Sequence, residues 1–240
     1  MIKKEDIRIM FEDNHILVAV KPQNVPSQED ATKAPDTLTL LKEYLKEKYF
    51  KTGNVFLGLV HRLDRPTGGV MVFAKTSKAA ARLSESIRGG EFDKTYFAVT
   101  DGVPKEKRGR LTHYLLKNEE TNTVKIVPAG TDGAKKAELT YRLLDATADK
   151  TLSLIGINLL TGRGHQARVQ IASLGTPIFA DHRYGKPRPG LSLALWAAVL
   201  KFPHPVSGKM MVFMAYPPEP EPPWNRFDLS KFLTINKDIN

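Results

Sequence analysis

The chain has 240 residues, no cysteine, and 36 Lys plus Arg against 26 Asp plus Glu, for a formal charge of +10. The absence of cysteine excludes disulfides, thiolate metal sites and cysteine nucleophiles, and no apolar run approaches the roughly 20 residues that a membrane-spanning helix needs. The cationic surplus favours polyanions, nucleic acid ahead of anionic membrane, and the mixed charge of Met1–Asp6 lacks a signal core, so a cytoplasmic protein is the default expectation.

In chain order, Ile16–Val20 is an apolar run that stops at Lys21-Pro22 and reads as a strand. Residues 23–35 are polar, contain Pro26 and Pro35, and read as a loop. Asp36 is placed to cap a helix with Leu38, Leu41 and Leu45 on one face. Val70–Ala74 reads as a buried strand. A second helix is expected from Ser77 to Arg88, with Ala80, Leu83 and Ile87 inward and Gly89-Gly90 as its stop.

Thr95–Val99 is strand-like, and Pro104–Arg110 reads as a basic loop. Leu139–Leu144 and Thr151–Leu159 read as paired strands joined by a turn near Ala148-Asp149. Thr161–Gly164 is a turn before a helix from His165 to Ser173. Lys209–Ala215 is a late strand, and Pro217-Pro218 to Pro222-Pro223 reads as extended. Strands and helices mix without a βαβ repeat, which predicts an α+β fold. The catalytic or binding core is expected over residues 1–216, with a proline-rich extension over 217–240.

Three stretches can carry chemistry. In His61-Arg62-Leu63-Asp64-Arg65-Pro66-Thr67-Gly68-Gly69 one acid stands among cations on a glycine-bearing turn, just before a buried strand. That setting suits a nucleophile or a charge-stabilising carboxylate. In Thr161-Gly162-Arg163-Gly164-His165-Gln166-Ala167-Arg168 two glycines let the Arg163 backbone approach another element closely, and His165 and Arg168 share a helix face. Cations at a helix N-terminus suit a phosphate or carboxylate. In Lys94-Thr95-Tyr96-Phe97-Ala98-Val99 the tyrosine, taken alone, reads as core.

The first stretch resembles the catalytic-aspartate motif of RluA-type RNA pseudouridine synthases, H-R-L-D-x-x-T-S-G followed by a strand ending in A-K. The departure is placed at Gly69, where the family usually carries Ser. The second resembles the family's T-G-R-x-H-Q-I-R, and Gly175–Gly185 its G-x-P-I-x-G-D-x-x-Y-G, with Ala167 for Ile and Ala180 for Gly. Lys94, Tyr96 and Ala98 match its K-x-Y-x-A strand, Lys21-Pro22 its early K-P, and Phe202–Lys209 its closing F-x-H-P turn, in which His204 reads as a turn residue.

The resemblance implies a mixed, largely antiparallel sheet flanked by helices, with a central catalytic cleft. It implies conversion of uridine in rRNA, tRNA or both to pseudouridine, with no cofactor and no metal. Asp64 takes the essential carboxylate's place, Arg163 that of its ion-pair partner in a buried pair, and Tyr96 lies against the base. Asp64 attack at C1′, glycal formation and addition at C6 all stay open. The target uridine must be flipped out or unpaired. Arg62 is expected to fill the vacated space or grip a phosphate. His61, Lys21, Lys75, His165, Gln166 and Arg168 are further substrate-contact candidates, Lys21 alternatively structural, and the 105–110 loop adds salt-sensitive affinity. A monomer without an obligatory protein partner is expected. The rivals are an RNA-binding module without catalysis and a glycoside hydrolase, which needs a second acid such as Asp181.

Overall fold

The computed structural model describes residues 2–218 and 220–233. Strands β1 (Arg8–Glu12) and β2 (Ile16–Lys21) precede helix α1 (Thr37–Lys48), then β3 (Gly58–Leu59), β4 (Gly68–Ala74) and helix α2 (Ser77–Arg88). There follow β5 (Asp93–Asp101), β6 (Arg108–Asn118), β7 (Thr123–Val127), β8 (Lys135–Ala146) and β9 (Leu152–Leu159). Helix α3 (Gln166–Ala172), β10 (Leu195–Pro203), β11 (Met210–Met214) and the short α4 (Ser230–Leu233) complete the order. The fold is α+β and largely antiparallel, as expected. No described helix is long and apolar enough to cross a membrane.

The chain divides into two compact units. The first holds Met1–Asp93 and Ala197–Ala215, the second Lys94–Trp196 and the residues from Tyr216 onward. In the first, the strand order is β1-β2-β4-β10, with β3 on β4 and β11 on β10. β4 is buried at all seven positions, which explains its unbroken apolar run. Ile16, Val18, Val70, Val72, Leu83, Phe92 and Phe202 build the core against α2. Asp36 caps α1 by accepting from the Thr39 N–H at 3.0 Å, as its position predicts. α1 buries Leu40 as well as Leu41 and Leu45, while Leu38 is half-buried. α2 runs over the expected residues, capped by Thr76. The His204 turn closes as read. Its ring Nδ1 accepts from the Val206 and Ser207 N–H groups, and Nε2 bonds Asp13.

In the second unit the order is β5-β9-β8-β6-β7. The expected pairing of β8 with β9 holds, with Tyr141 opposite Ile157. Asp149 ties their turn by accepting from Thr147 and Thr151, which holds its carboxyl down to about 2. Leu115, Val124 and Ala137 pack against Val169 of α3.

Two elements differ from expectation. The basic loop ends early, because Arg108–Arg110 already belong to β6. The run after Pro217 is not extended throughout. Glu221 N–H bonds the Pro218 carbonyl, and Trp224, Phe227 and Leu229 are buried beyond that turn.

Candidate active site

In the first unit Asp64 precedes β4 in a turn closed by the Thr67 N–H on the Asp64 carbonyl at 2.9 Å. The backbone around it is pinned from the β2–α1 loop. The buried Ser27 hydroxyl donates to the Leu63 carbonyl at 2.8 Å and accepts from the Leu63 N–H. Gln23 Nε2 donates to the Pro66 carbonyl at 3.1 Å. Lys21 Nζ donates to the carbonyls of Val25, Pro22 and Arg65 at 2.6, 2.9 and 3.1 Å. Asp64 is half-buried and Arg62 exposed, and Arg62 makes no hydrogen bond or ion pair among the described residues. Arg65 turns away to Asn24, Thr32 and Asp30.

Lys21 is fully buried. Burial pulls its ammonium down to about 7, against the pull of the Asp64 carboxylate and with the Arg65 charge adding to the fall. Of the two roles expected for it, the structural one fits, since its donors tie two carbonyls of its own loop to that of Arg65 in the turn that carries Asp64. His61 also faces inward: Nε2 accepts from the Val72 N–H at 3.1 Å and the ring sits edge-on to Phe92. Lys75 is not brought near Asp64. It follows the far end of β4, roughly 23 Å of strand away at about 3.3 Å per residue. There its ammonium is held by Glu12 at 2.6 Å and by the Asp13 carbonyl. Glu12 also accepts from Tyr44, Lys48 and Tyr49. Although burial raises its pKa, the lysines and Tyr49 outweigh that and bring it to about 2.

Gly69 corrects the placement of the family's serine. Its φ is 127°, and a Cβ there would lie 2.3 Å from the Ala197 carbonyl oxygen, so only glycine fits. The serine of T-S-G therefore corresponds to Gly68.

In the second unit the Thr161–Gly164 turn is organised by Gln166, which is buried. Its Oε1 accepts from Thr161 Oγ1 at 2.6 Å and from the Arg163 N–H at 3.0 Å, and its Nε2 donates to the Glu138 carbonyl at 2.9 Å. Gln166 is thus a positioning residue for Arg163. Arg163 is exposed, not buried as expected, and its Nε donates to the Lys136 carbonyl at 3.2 Å. Tyr96 lies on β5 opposite Ile157 and is 7% exposed. Two residues before it, Lys94 is mostly buried, which lowers its pKa, and its Nζ approaches Gly162. The unit therefore brings the Tyr96 strand beside the Arg163 turn.

His165 and Arg168 do not share an exposed face. His165 is the N-cap residue, with φ 53°, and its Nδ1 lies 2.7 Å from the Tyr184 hydroxyl. Arg168 is 4% exposed and grips Asp181 with two bonds, Nε–Oδ2 at 2.8 Å and Nη2–Oδ1 at 2.7 Å, while stacking on Tyr184. A guanidinium so engaged is no surface phosphate contact. The same pair occupies the acid that a glycosidase reading would need. Sequence reasoning missed Ser27, Gln23 and the Arg168–Asp181 bond. Only the last left a signal, an arginine set among Ala167, Val169 and Ile171. No group of three His, Cys, Asp or Glu suited to a metal occurs among the described residues.

The second unit thus sets an exposed arginine turn beside a buried tyrosine strand, and the first holds an aspartate in a pinned turn at the entry to β4. Residues 15–173 match the family model described as RNA pseudouridylate synthase. A protein called ribosomal large subunit pseudouridine synthase D, from Zymomonas mobilis, is 34% identical over 225 residues, covering 89% of this chain and 70% of its own. A Bacillus subtilis RNA pseudouridine synthase described as uncharacterized is 32% identical over 208 residues, covering 86% and 67%. The fold is similar to human RNA pseudouridylate synthase domain containing 1, with a TM-score of 0.76 at 21% identity, covering 99% of this chain and 97% of that one. Domain containing 4 gives 0.74 at 22%, covering 91% and 90%. The chain belongs to the RluA-type RNA pseudouridine synthases, isomerases whose substrate is uridine in RNA.

Proposed function

We propose that this chain isomerises discrete uridines of large-subunit ribosomal RNA, with Asp64 as the essential carboxylate. The observation that carries this is the seating of Asp64, whose flanking carbonyls at Leu63, Arg65 and Pro66 are each held by a side chain from the end of β2 or the loop that follows it. Reaction geometry fixed in advance lowers the barrier. The ribosomal target is supported by the name of the Zymomonas relative.

The reaction breaks N1–C1′, joins C5 to C1′, moves the C5 proton away and places one on N1, so no electrons are gained or lost. Asp64 acts at C1′, at the sugar through a glycal, or at C6. Arg163 pairs with it and holds it ionised. Tyr96 supports the base and assists loss of the C5 proton. Arg62 enters the space left by the flipped uridine or holds its phosphate.

Pseudouridine mapping on unmodified ribosomal and transfer RNA transcripts tests this. Native protein should modify discrete ribosomal positions, and Asp64→Asn none, while still binding the RNA. Activity retained by Asp64→Asn would refute the assignment, and modification confined to transfer RNA would refute the target.

A further inference from the structure

On β6, alternate residues share a face. Leu111, His113 and Leu115 turn toward α3, where Leu115 packs near Val169 and His113 Nδ1 meets Gln170. Arg108, Arg110, Thr112 and Tyr114 therefore line the other face. Register continues that face onto β8, with Arg108 opposite Arg142, Arg110 opposite Thr140, Thr112 opposite Glu138 and Tyr114 opposite Lys136.

Two arginines thus stand directly opposite each other on adjacent strands. Both are exposed, and neither makes a hydrogen bond or ion pair among the described residues. Like charges so placed repel and destabilise a sheet. The single acid within these registered pairs, Glu138, is taken by Arg110 at 3.1 Å and Lys136 at 3.3 Å. Glu106 in the preceding turn makes no hydrogen bond or ion pair with either arginine among the described residues. The face runs to the Arg163 turn, because Arg163 Nε holds the Lys136 carbonyl.

We propose that this face seats the sugar–phosphate backbone of the RNA substrate, with Arg108 and Arg142 each holding one of two adjacent phosphates. The identity of the polyanion rests on the RNA-isomerase reading; the face itself does not.

The test is binding of an unmodified large-subunit ribosomal RNA transcript by full-length Arg108→Gln/Arg142→Gln across salt. Losing two phosphate contacts should reduce the slope of log affinity against log salt by about 1.4–1.8. Between about 50 and 200 mM salt the native protein should then lose roughly tenfold more affinity than the variant. KM should rise with kcat unchanged, the melting temperature should not fall, and Arg108→Lys/Arg142→Lys should keep the native slope. An unchanged slope, or a loss of binding accompanied by a lower melting temperature, would overturn the proposal. A reduced slope with no pseudouridine formed by the native protein would sink the isomerase reading and leave the face standing.

Discussion

Replacing Arg168 by Met should be among the most damaging single changes in the second unit. The side chains of Arg168 and Asp181 are 4% and 0% exposed, and two charge-assisted bonds of 2.7 and 2.8 Å join them. Methionine keeps most of the aliphatic volume, so the loss is chiefly electrostatic. Asp181 would retain only the N–H groups of Arg183 and Tyr184, at 2.9 and 3.2 Å. Breaking a buried pair from one side costs about 3–5 kcal/mol, a large share of the roughly 5–15 kcal/mol that holds a domain folded. Urea unfolding followed by tryptophan fluorescence reads this unit directly, since both tryptophans, Trp196 and Trp224, lie in it. The penalty also has a pH signature. Burial raises the Asp181 pKa, but Arg168 and the two N–H groups outweigh it and hold the carboxyl below 3.8. Its contribution to the native protein is therefore present above that value and lost as pH falls through the folded one. Without Arg168 burial dominates and the folded pKa rises, so the variant's deficit should shrink as pH falls toward about 4. Adding Asp181→Asn, which still accepts from both N–H groups, should recover at least about 2 kcal/mol and remove the pH dependence. A deficit under about 1 kcal/mol near neutral pH, or one constant down to about pH 4, would refute the reasoning.

Gly69→Ala should lower the melting temperature by roughly 6–12 °C, the equivalent of about 3 kcal/mol in a chain this size, because its Cβ meets Ala197 backbone 2.3 Å away. Gly53→Ala, with nothing within 4 Å, should leave it unchanged in the same scan. Lys21 has its folded pKa lowered to about 7 from 10.5 by burial, so the unfolded chain binds more protons between those values and stability rises with pH across them. Native protein should thus gain about 2 kcal/mol over Lys21→Met between about pH 7 and 9 in chemical denaturation, while that variant loses kcat with RNA affinity kept. A pH-independent difference would show the ammonium is not desolvated in the folded protein.

Elements with a local signature were legible in the sequence. The unbroken apolar run of β4 announces burial on both faces, and Asp36 and Thr76 announce their helices through their caps. β10 was not legible. Leu195-Trp196-Ala197-Ala198-Val199 neither alternates nor carries turn signals, and it is a strand because β4 and β11 pair with it. β6 was hidden by its own outward arginines and by Gly109. The reason for that glycine lies on another strand, in the ring of Tyr141.

The same division runs through the site. Asp64 stands in a short, dense motif, whereas groups that hold its turn are far away in sequence: Ser27 lies 36 residues from Leu63 and Gln23 43 from Pro66, while Gln166, only 3 from Arg163, ties its own motif to Glu138 28 residues away. Polar residues in a loop look alike until the fold sets a carbonyl in front of them, which is why Ser27 and Gln23 read only as loop. Their chemistry nonetheless follows a rule. Lys21, Gln23, Ser27 and Gln166 all bond main-chain atoms of the motif they support, and none of these bonds uses the Asp64 carboxylate or the terminal nitrogens of Arg163. These bonds supply rigidity through the backbone. Loosening this support should therefore act on turnover through geometry, and Lys21→Met separates that effect from any direct loss of charge on the RNA.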